Sequence, residues 1–243
     1  MATMLAAPCA IDLATDHHLH STFSDGKDTL EANLAAAEAA GVKHLGCVEH
    51  VRRDTTWVKS YVDAVRALRP GRDITITAGI EAKLLNQHGA LDLPENYTLA
   101  DVIYIADHQF PWYSAPIAPR TVREWIDGGV FTTGEAIDHL VTATNASLER
   151  YAGHSLVIAH LFSILPKLGI DESKVPRALI ARLANTASSV NAVLEVSERW
   201  VCPSLSTVRV FLDYGVSVVA STDSHRASTI GRYEYVRDVA AAI

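Results

Sequence analysis

Residues 16–26 read Asp16-His17-His18-Leu19-His20-Ser21-Thr22-Phe23-Ser24-Asp25-Gly26 and follow directly on a short apolar run at 11–15. In a pleated strand, side chains two apart point the same way. His18 and His20 can therefore both face one cation from the end of a strand. A single His-x-His pair is weak evidence, because core and surface histidines with ordinary partners are commoner. The stretch decides the fold because its arrangement recurs: apolar runs along the chain end in His, Asp or Glu.

Those runs fall at residues 11–15, 44–48, 74–80, 101–106, 156–159, 193–196 and 216–221. Most are nearly continuous, as parallel strands covered on both faces should be. Between them the spacing predicts helices near 28–40, 56–68, 133–152, 172–188, 204–214 and 229–242. Asp28 ahead of Thr29-Leu30-Glu31 and Pro203-Ser204 ahead of the fifth helix are start signals. Gly41, Gly153 and Gly215 fall just after helices, where a left-handed cap is wanted. Seven βα units with no break in composition read as one α/β domain over residues 1–243, a closed, TIM-like parallel barrel. The long irregular insertion is 110–132, after the fourth strand; rich in Pro, Trp, Tyr and Gly, it reads either as a lid-like segment that shapes the substrate pocket or as a loop that its aromatics pin to the barrel.

Composition narrows the class. The chain has 243 residues, 49% of them hydrophobic, and a formal net charge of −7. Such a balance argues against a large basic surface for duplex nucleic acid, and no long nucleic acid is expected as a partner. No apolar run approaches the roughly 18–20 residues of a membrane span. Residues 1–10 are mildly apolar but lack Lys and Arg, which makes a poor signal peptide. Cys9, Cys47 and Cys202 are too few and too scattered for a disulfide framework or a thiolate metal knuckle. A reducing cytoplasm is the expected home.

The ionisable residues then fall into a pattern. His18, His20 and Asp25 follow the first run, Glu49-His50 the second and Glu81 the third. Asp107-His108 and His160 close the fourth and fifth. Glu195 and Ser197 lie on the sixth, and Asp223 and His225 follow the seventh. In a barrel this is the C-terminal face, where sites are built. So many N and O ligands exceed the four to six of one cation. Two or three divalent ions fit better, with imidazole favouring Zn, Mn or Fe over Mg.

On these residues the chain resembles the polymerase and histidinol phosphatase (PHP) family of metal-dependent phosphoesterases. The matching motifs are Asp16-x-His18-x-His20 with Ser24-Asp25-Gly26, Glu49-His50, Gly79-Ile80-Glu81-Ala82, Ala159-His160, Leu194-Glu195-Val196 and Ser221-Thr222-Asp223-Ser224-His225. The resemblance implies a distorted (βα)7 barrel and three metal positions. His18, His20, Glu81 and Asp223 would hold the first. Glu81 would bridge to a second, completed by His108 and His160, and Asp25, His50 and His225 would hold the third. Two positions depart from the family: Glu49 stands where Asp is usual, and the approach to His108, Ile105-Ala106-Asp107, lacks the usual small residues, so that Asp107 is either a competing ligand or a support behind the ligands.

The chemistry implied is hydrolysis of a small phosphomonoester, of the histidinol phosphate, mononucleotide or sugar phosphate class. Clustered cations lower the pKa of a bound water to around 7 and neutralise charge on the phosphoryl oxygens. Glu81, Asp223 and His225 are the expected catalytic groups. Arg199, Arg226 and Arg52 are candidates for the phosphate, since the guanidinium fork suits an oxyanion; Lys83 is a weaker one. Trp112, with Tyr113, would stack on a base or sugar. His17, His44, His88, His139 and His154 read as packing or surface residues. An amidohydrolase-type hydrolase would also open with His-x-His and close with Asp, but leaves Asp25, His50 and His225 unused. A metal-binding regulatory module that has lost catalysis is the alternative outside the enzymes.

Overall fold

The computed structural model describes residues 11–243; Cys9 and the reading of residues 1–10 as a poor signal peptide lie outside them. Seven parallel strands stand in chain order: β1 (Thr15–Leu19), β2 (His44–Val51), β3 (Thr75–Lys83), β4 (Val102–Ala106), β5 (Leu156–Ile158), β6 (Val193–Ser197) and β7 (Val218–Ser221). Around them lie α1 (Leu30–Ala39), α2 (Val58–Ala67), α3 (Pro119–Asp127), α4 (Thr133–Arg150), α5 (Arg177–Ser189), α6 (Leu205–Asp213) and α7 (Tyr235–Ala242). The chain is a single α/β domain with the TIM-like barrel architecture. None of the described helices is long and apolar enough to cross a membrane.

The barrel is distorted at its seam. Between β7 and β1 the described residues form a single parallel bridge, Leu19 to Ser224, with His20 N–H donating to Ser224 O at 2.8 Å. Buried Asp16 supplies what the missing ladder does not. Its carboxylate accepts from Thr222 N (2.9 Å), Thr222 Oγ1 (2.6 Å) and Gly231 N (3.0 Å). Burial still pushes the Asp16 carboxyl up to about 6, against the pull of these donors. A carboxylate that ties two strands together thus stands in for a row of backbone bonds.

Two apolar layers hold the barrel. Leu30, Leu34 and Ala37 of α1 and Val58, Tyr61, Val62 and Val65 of α2 bury one helical stripe each against the outside of the sheet. Val48, Tyr104, Ala106, Val157 and Ala159 form a separate small cluster, the alternate residues of their strands. Gly79 makes room for it, because a Cβ there would lie 2.8 Å from the Tyr104 ring and 3.0 Å from Val48.

Several boundaries differ from expectation. The first strand is Thr15–Leu19 rather than 11–15, and β2 and β3 run on to Val51 and Lys83. His18, Glu49, His50 and Glu81 are therefore strand residues, not residues after a strand. The β2–β3 ladder runs straight through the last three, pairing Glu49 with Ile80 and His50 with Glu81. Asp28 does not cap α1: Thr29 does, accepting from Ala32 N, while Asp28 accepts from Ala227 N at 2.8 Å. The expected helices at 172–188 and 229–242 each break into a single 3-10 turn and a shorter helix, the first at Pro176. The insertion 110–132 is not wholly irregular either, since α3 begins at Pro119, where proline suits a first turn.

Candidate metal centre

Glu81 sits at the centre of the C-terminal face, 2% exposed, on a strand flanked by partners on both sides. Its two oxygens look in different directions. Oε1 lies 2.9 Å from His160 Nε2 and 3.0 Å from His108 Nε2. Oε2 lies 2.8 Å from His50 Nδ1, 3.4 Å from His18 Nε2 and 3.6 Å from His20 Nε2. His20 Nε2 in turn lies 3.2 Å from Asp223 Oδ1, and Asp25 Oδ1 lies 3.3 Å from His225 Nε2 and 3.6 Å from His50 Nε2. All nine expected ligands thus converge on one cleft. The floor, His18, His20, His160, Glu81 and Asp223, is buried, whereas Asp25 at the mouth is 55% exposed.

The donor atoms fall into three overlapping groups, each within 4.8 Å: His18, His20 and Asp223; His50, Glu81 and His108; and His20, Asp25, His50 and His225. His20 and His50 each belong to two groups, so the three sets implied by the resemblance share boundaries here. The packing itself fits cations. His18 Nε2 and His20 Nε2 face each other at 3.1 Å, and the His20 ring lies 4.3 Å from both His50 and His225. Asp223 Oδ1 and Glu81 Oε2 are buried without a hydrogen bond of good geometry. Close imidazoles and bare carboxylate oxygens are stable together when a proton or a metal lies between them.

Proton affinities reflect this crowding. Burial disfavours a charged His18, yet Glu195 and Glu81 raise it well above the ordinary imidazole value. For His160, burial is likewise outweighed by Asp107 and Glu81, which bring it up to about 10. His20 is pushed down to about 4 by burial and by its neighbours His18 and His50, against the pull of Asp223. Glu81 and Asp223 stay well below the carboxylate range: burial raises both, but the surrounding imidazoles dominate.

A further ring of residues orients the first. Glu195, fully buried on β6, bonds His18 Nδ1 at 2.8 Å and leaves Nε2 pointing inward. Ser163 links Asp107 (2.7 Å) to His160 Nδ1 (3.0 Å), so Asp107 stands behind His160 and His108 is the residue turned to Glu81. Glu49 accepts from Ser21 N (2.9 Å) and from the Ser21 and Ser24 hydroxyls, shaping the loop that carries Asp25. Burial pushes Glu49 up to about 7 despite those donors. Gly26 lets that loop close, because a Cβ would lie 2.5 Å from the His20 carbonyl.

A cavity of about 630 Å³ opens beside Asp25, Asp223 and His225, and Arg199 and Arg226 line it. Arg199 lies against His225 Nδ1 (2.5 Å) and donates to the Asp223 carbonyl (3.3 Å). Arg52 and Trp112 are placed differently. Neither lines this cavity, nor does any residue of 110–132. Trp112 stacks on His139 (5.2 Å, 19°) and packs against Phe110, Trp125 and Phe131. Sequence reading missed Trp200, whose Nε1–H donates to Asp223 Oδ2 at 2.6 Å. It also passed over Lys27 and Arg232 in the cavity wall. Its place two residues after Asp25 was the available signal for Lys27; nothing in the pattern marked Trp200 or Arg232.

Comparison with known proteins places this geometry. Residues 16–198 match the PHP domain family, and the chain belongs to it. A probable phosphatase of Clostridium acetobutylicum is 24% identical over 234 residues, covering 91% of this chain and 83% of that protein. The fold matches a histidinol phosphate phosphatase of Lactococcus lactis, solved with zinc, L-histidinol and phosphate, with a TM-score of 0.70 at 16% identity. That match covers 94% of this chain and 92% of the other.

Proposed function

We propose that this chain is a metal-dependent phosphatase that hydrolyses a small phosphomonoester. The observation that carries the reading is Glu81, whose two oxygens face separate sets of imidazoles. Such a carboxylate would bridge two divalent ions, with His108 and His160 on one side and His18, His20 and Asp223 on the other. Asp25, His50 and His225 would hold a third. Two or three ions of Zn, Mn or Fe suit this donor set. Bound there, they would lower the pKa of a water and neutralise the phosphoryl oxygens.

The remaining work belongs to the chain. Glu195 and the Ser163–Asp107 pair fix which nitrogen of His18 and of His160 faces the cleft. Arg199 and Arg226 would grip the phosphate at the cavity side of Asp223 and His225. The buried floor keeps bulk water from these charges, which strengthens them. Zinc and phosphate in the Lactococcus lactis relative, and the name of the Clostridium acetobutylicum one, support the same chemistry. The test is a panel of phosphorylated metabolites, assayed for phosphate release after bound metals are measured by elemental analysis. Release that needs the metal supports the reading, and silence across the panel with full metal loading refutes it.

A further inference from the structure

We propose that the substrate carries a second anionic group, a carboxylate or another phosphate, bound by Lys27 and Arg232 in the cavity beside His225. This rests on the phosphatase reading and narrows it.

The inference comes from the charges that line the cavity. Four are cationic, Lys27, Arg199, Arg226 and Arg232, and three are carboxylates, Asp25, Glu198 and Asp223. Every carboxylate is engaged. Glu198 accepts the backbone N–H groups of Glu234 (2.9 Å), Tyr235 (3.2 Å) and Val236 (3.0 Å), where α7 begins. Asp25 faces His50 and His225, and Asp223 faces His20 and the Trp200 indole. The cations are not matched in return. Arg199 leans on His225, but among the described residues Lys27, Arg226 and Arg232 form no ion pair, although each lines the same concave space.

Their backbones are tied down. Lys27 N–H donates to the His225 carbonyl (2.9 Å), and Ala227 N–H donates to Asp28 (2.8 Å). Arg232 follows Gly231, whose N–H is held by Asp16 at 3.0 Å. The loops that carry the three exposed cations are thus tied to one another and, through Asp16, to β1. A concave wall on which the unpaired charges are cationic raises the local concentration of an anionic ligand. The phosphoryl group faces the metal side and Arg199; Lys27 and Arg232 remain for the rest of the molecule. A volume of about 630 Å³ has room for it. A leaving group bearing an amine, such as histidinol, would meet repulsion there.

The test uses the full chain loaded with Mn²⁺ and matched substrate pairs. These are 3-phosphoglycerate against glycerol 3-phosphate, and fructose 1,6-bisphosphate against fructose 6-phosphate, with histidinol phosphate and p-nitrophenyl phosphate alongside. The anion-bearing member of at least one pair should show a higher kcat/KM, roughly 10-fold, falling as salt is raised. The pair with the larger preference tells carboxylate from phosphate. In Lys27→Ala/Arg232→Ala that preference should vanish while p-nitrophenyl phosphate turnover stays within about twofold. Equal rates within both pairs, a preference that survives the double variant, or histidinol phosphate as the best substrate would each overturn the proposal. If none of these esters is hydrolysed by the metal-loaded chain, the phosphatase reading fails, and calorimetric affinities for the same pairs decide the second-anion site by the same criteria.

Discussion

Trp200 Nε1–H donates to Asp223 Oδ2 at 2.6 Å, leaving Oδ1 of the same carboxylate to face His20 at 3.2 Å. Asp223 has a φ of 48°, a left-handed conformation that a non-glycine residue adopts only when its surroundings hold it there. The indole is one of those surroundings. Trp200→Phe keeps the ring and removes the donor, so metal affinity should fall roughly 10- to 100-fold. Competition with a chelating dye reads this directly. An unchanged affinity would reduce Trp200 to a packing residue.

Stripping the metals should destabilise the fold. The cluster left behind holds imidazoles and carboxylates at 2.8–3.6 Å, with buried oxygens on Glu81 and Asp223 lacking good partners. Ions at about 100 times their dissociation constant would add about 2.7 kcal/mol, some 5–10 °C of Tm in a chain of this size. Differential scanning calorimetry before and after chelation measures it. A Tm indifferent to complete metal removal would contradict the centre.

Arg199 and Arg226 should matter to the phosphate, and Arg226, whose side chain touches no proposed ligand, should not matter to the metals. Arg199→Ala and Arg226→Ala are each expected to lower kcat/KM about 10-fold, after allowance for their exposure. In Arg226→Ala the metal-to-chain ratio should stay that of the parent. Kinetics within a factor of two for both would return them to the solvated surface.

The aromatic pack around Trp112 forecasts a structural effect. Trp112 contacts Phe110, Trp125, Phe131 and His139, whereas Tyr113 is 54% exposed. Replacing both with Ala should cost roughly 2–4 kcal/mol, mostly from the tryptophan. The Tm should drop and all substrates should lose rate alike. Selective loss of bulky substrates at constant Tm would instead restore a lid role for 110–132.

The barrel was legible because seven apolar runs, each ending in metal-type donors, have few alternative folds. The donors converge as their order along the chain suggests, and even His108 faces Glu81. Strand ends were less legible. His50 and Glu81 look like terminators in sequence, but inside the barrel each answers the other's charge. The orienting residues were harder still. Trp200 acts through one N–H on a residue 23 positions away, and Asp16 spans 206 positions to Thr222. Contacts of that kind leave no periodicity to read. Arg52 and Trp112 stand close in sequence to a strand end, but neither lines the cavity beside His225.

The most direct test is the rate of phosphate release from p-nitrophenyl phosphate by metal-loaded Glu81→Gln relative to the parent chain. Glutamine keeps the size and removes the charge that both sets of imidazoles face. The account expects a loss of at least about 100-fold, with far-ultraviolet circular dichroism unchanged. Near-normal turnover by the folded variant would contradict a bridging Glu81 and the multinuclear centre built on it.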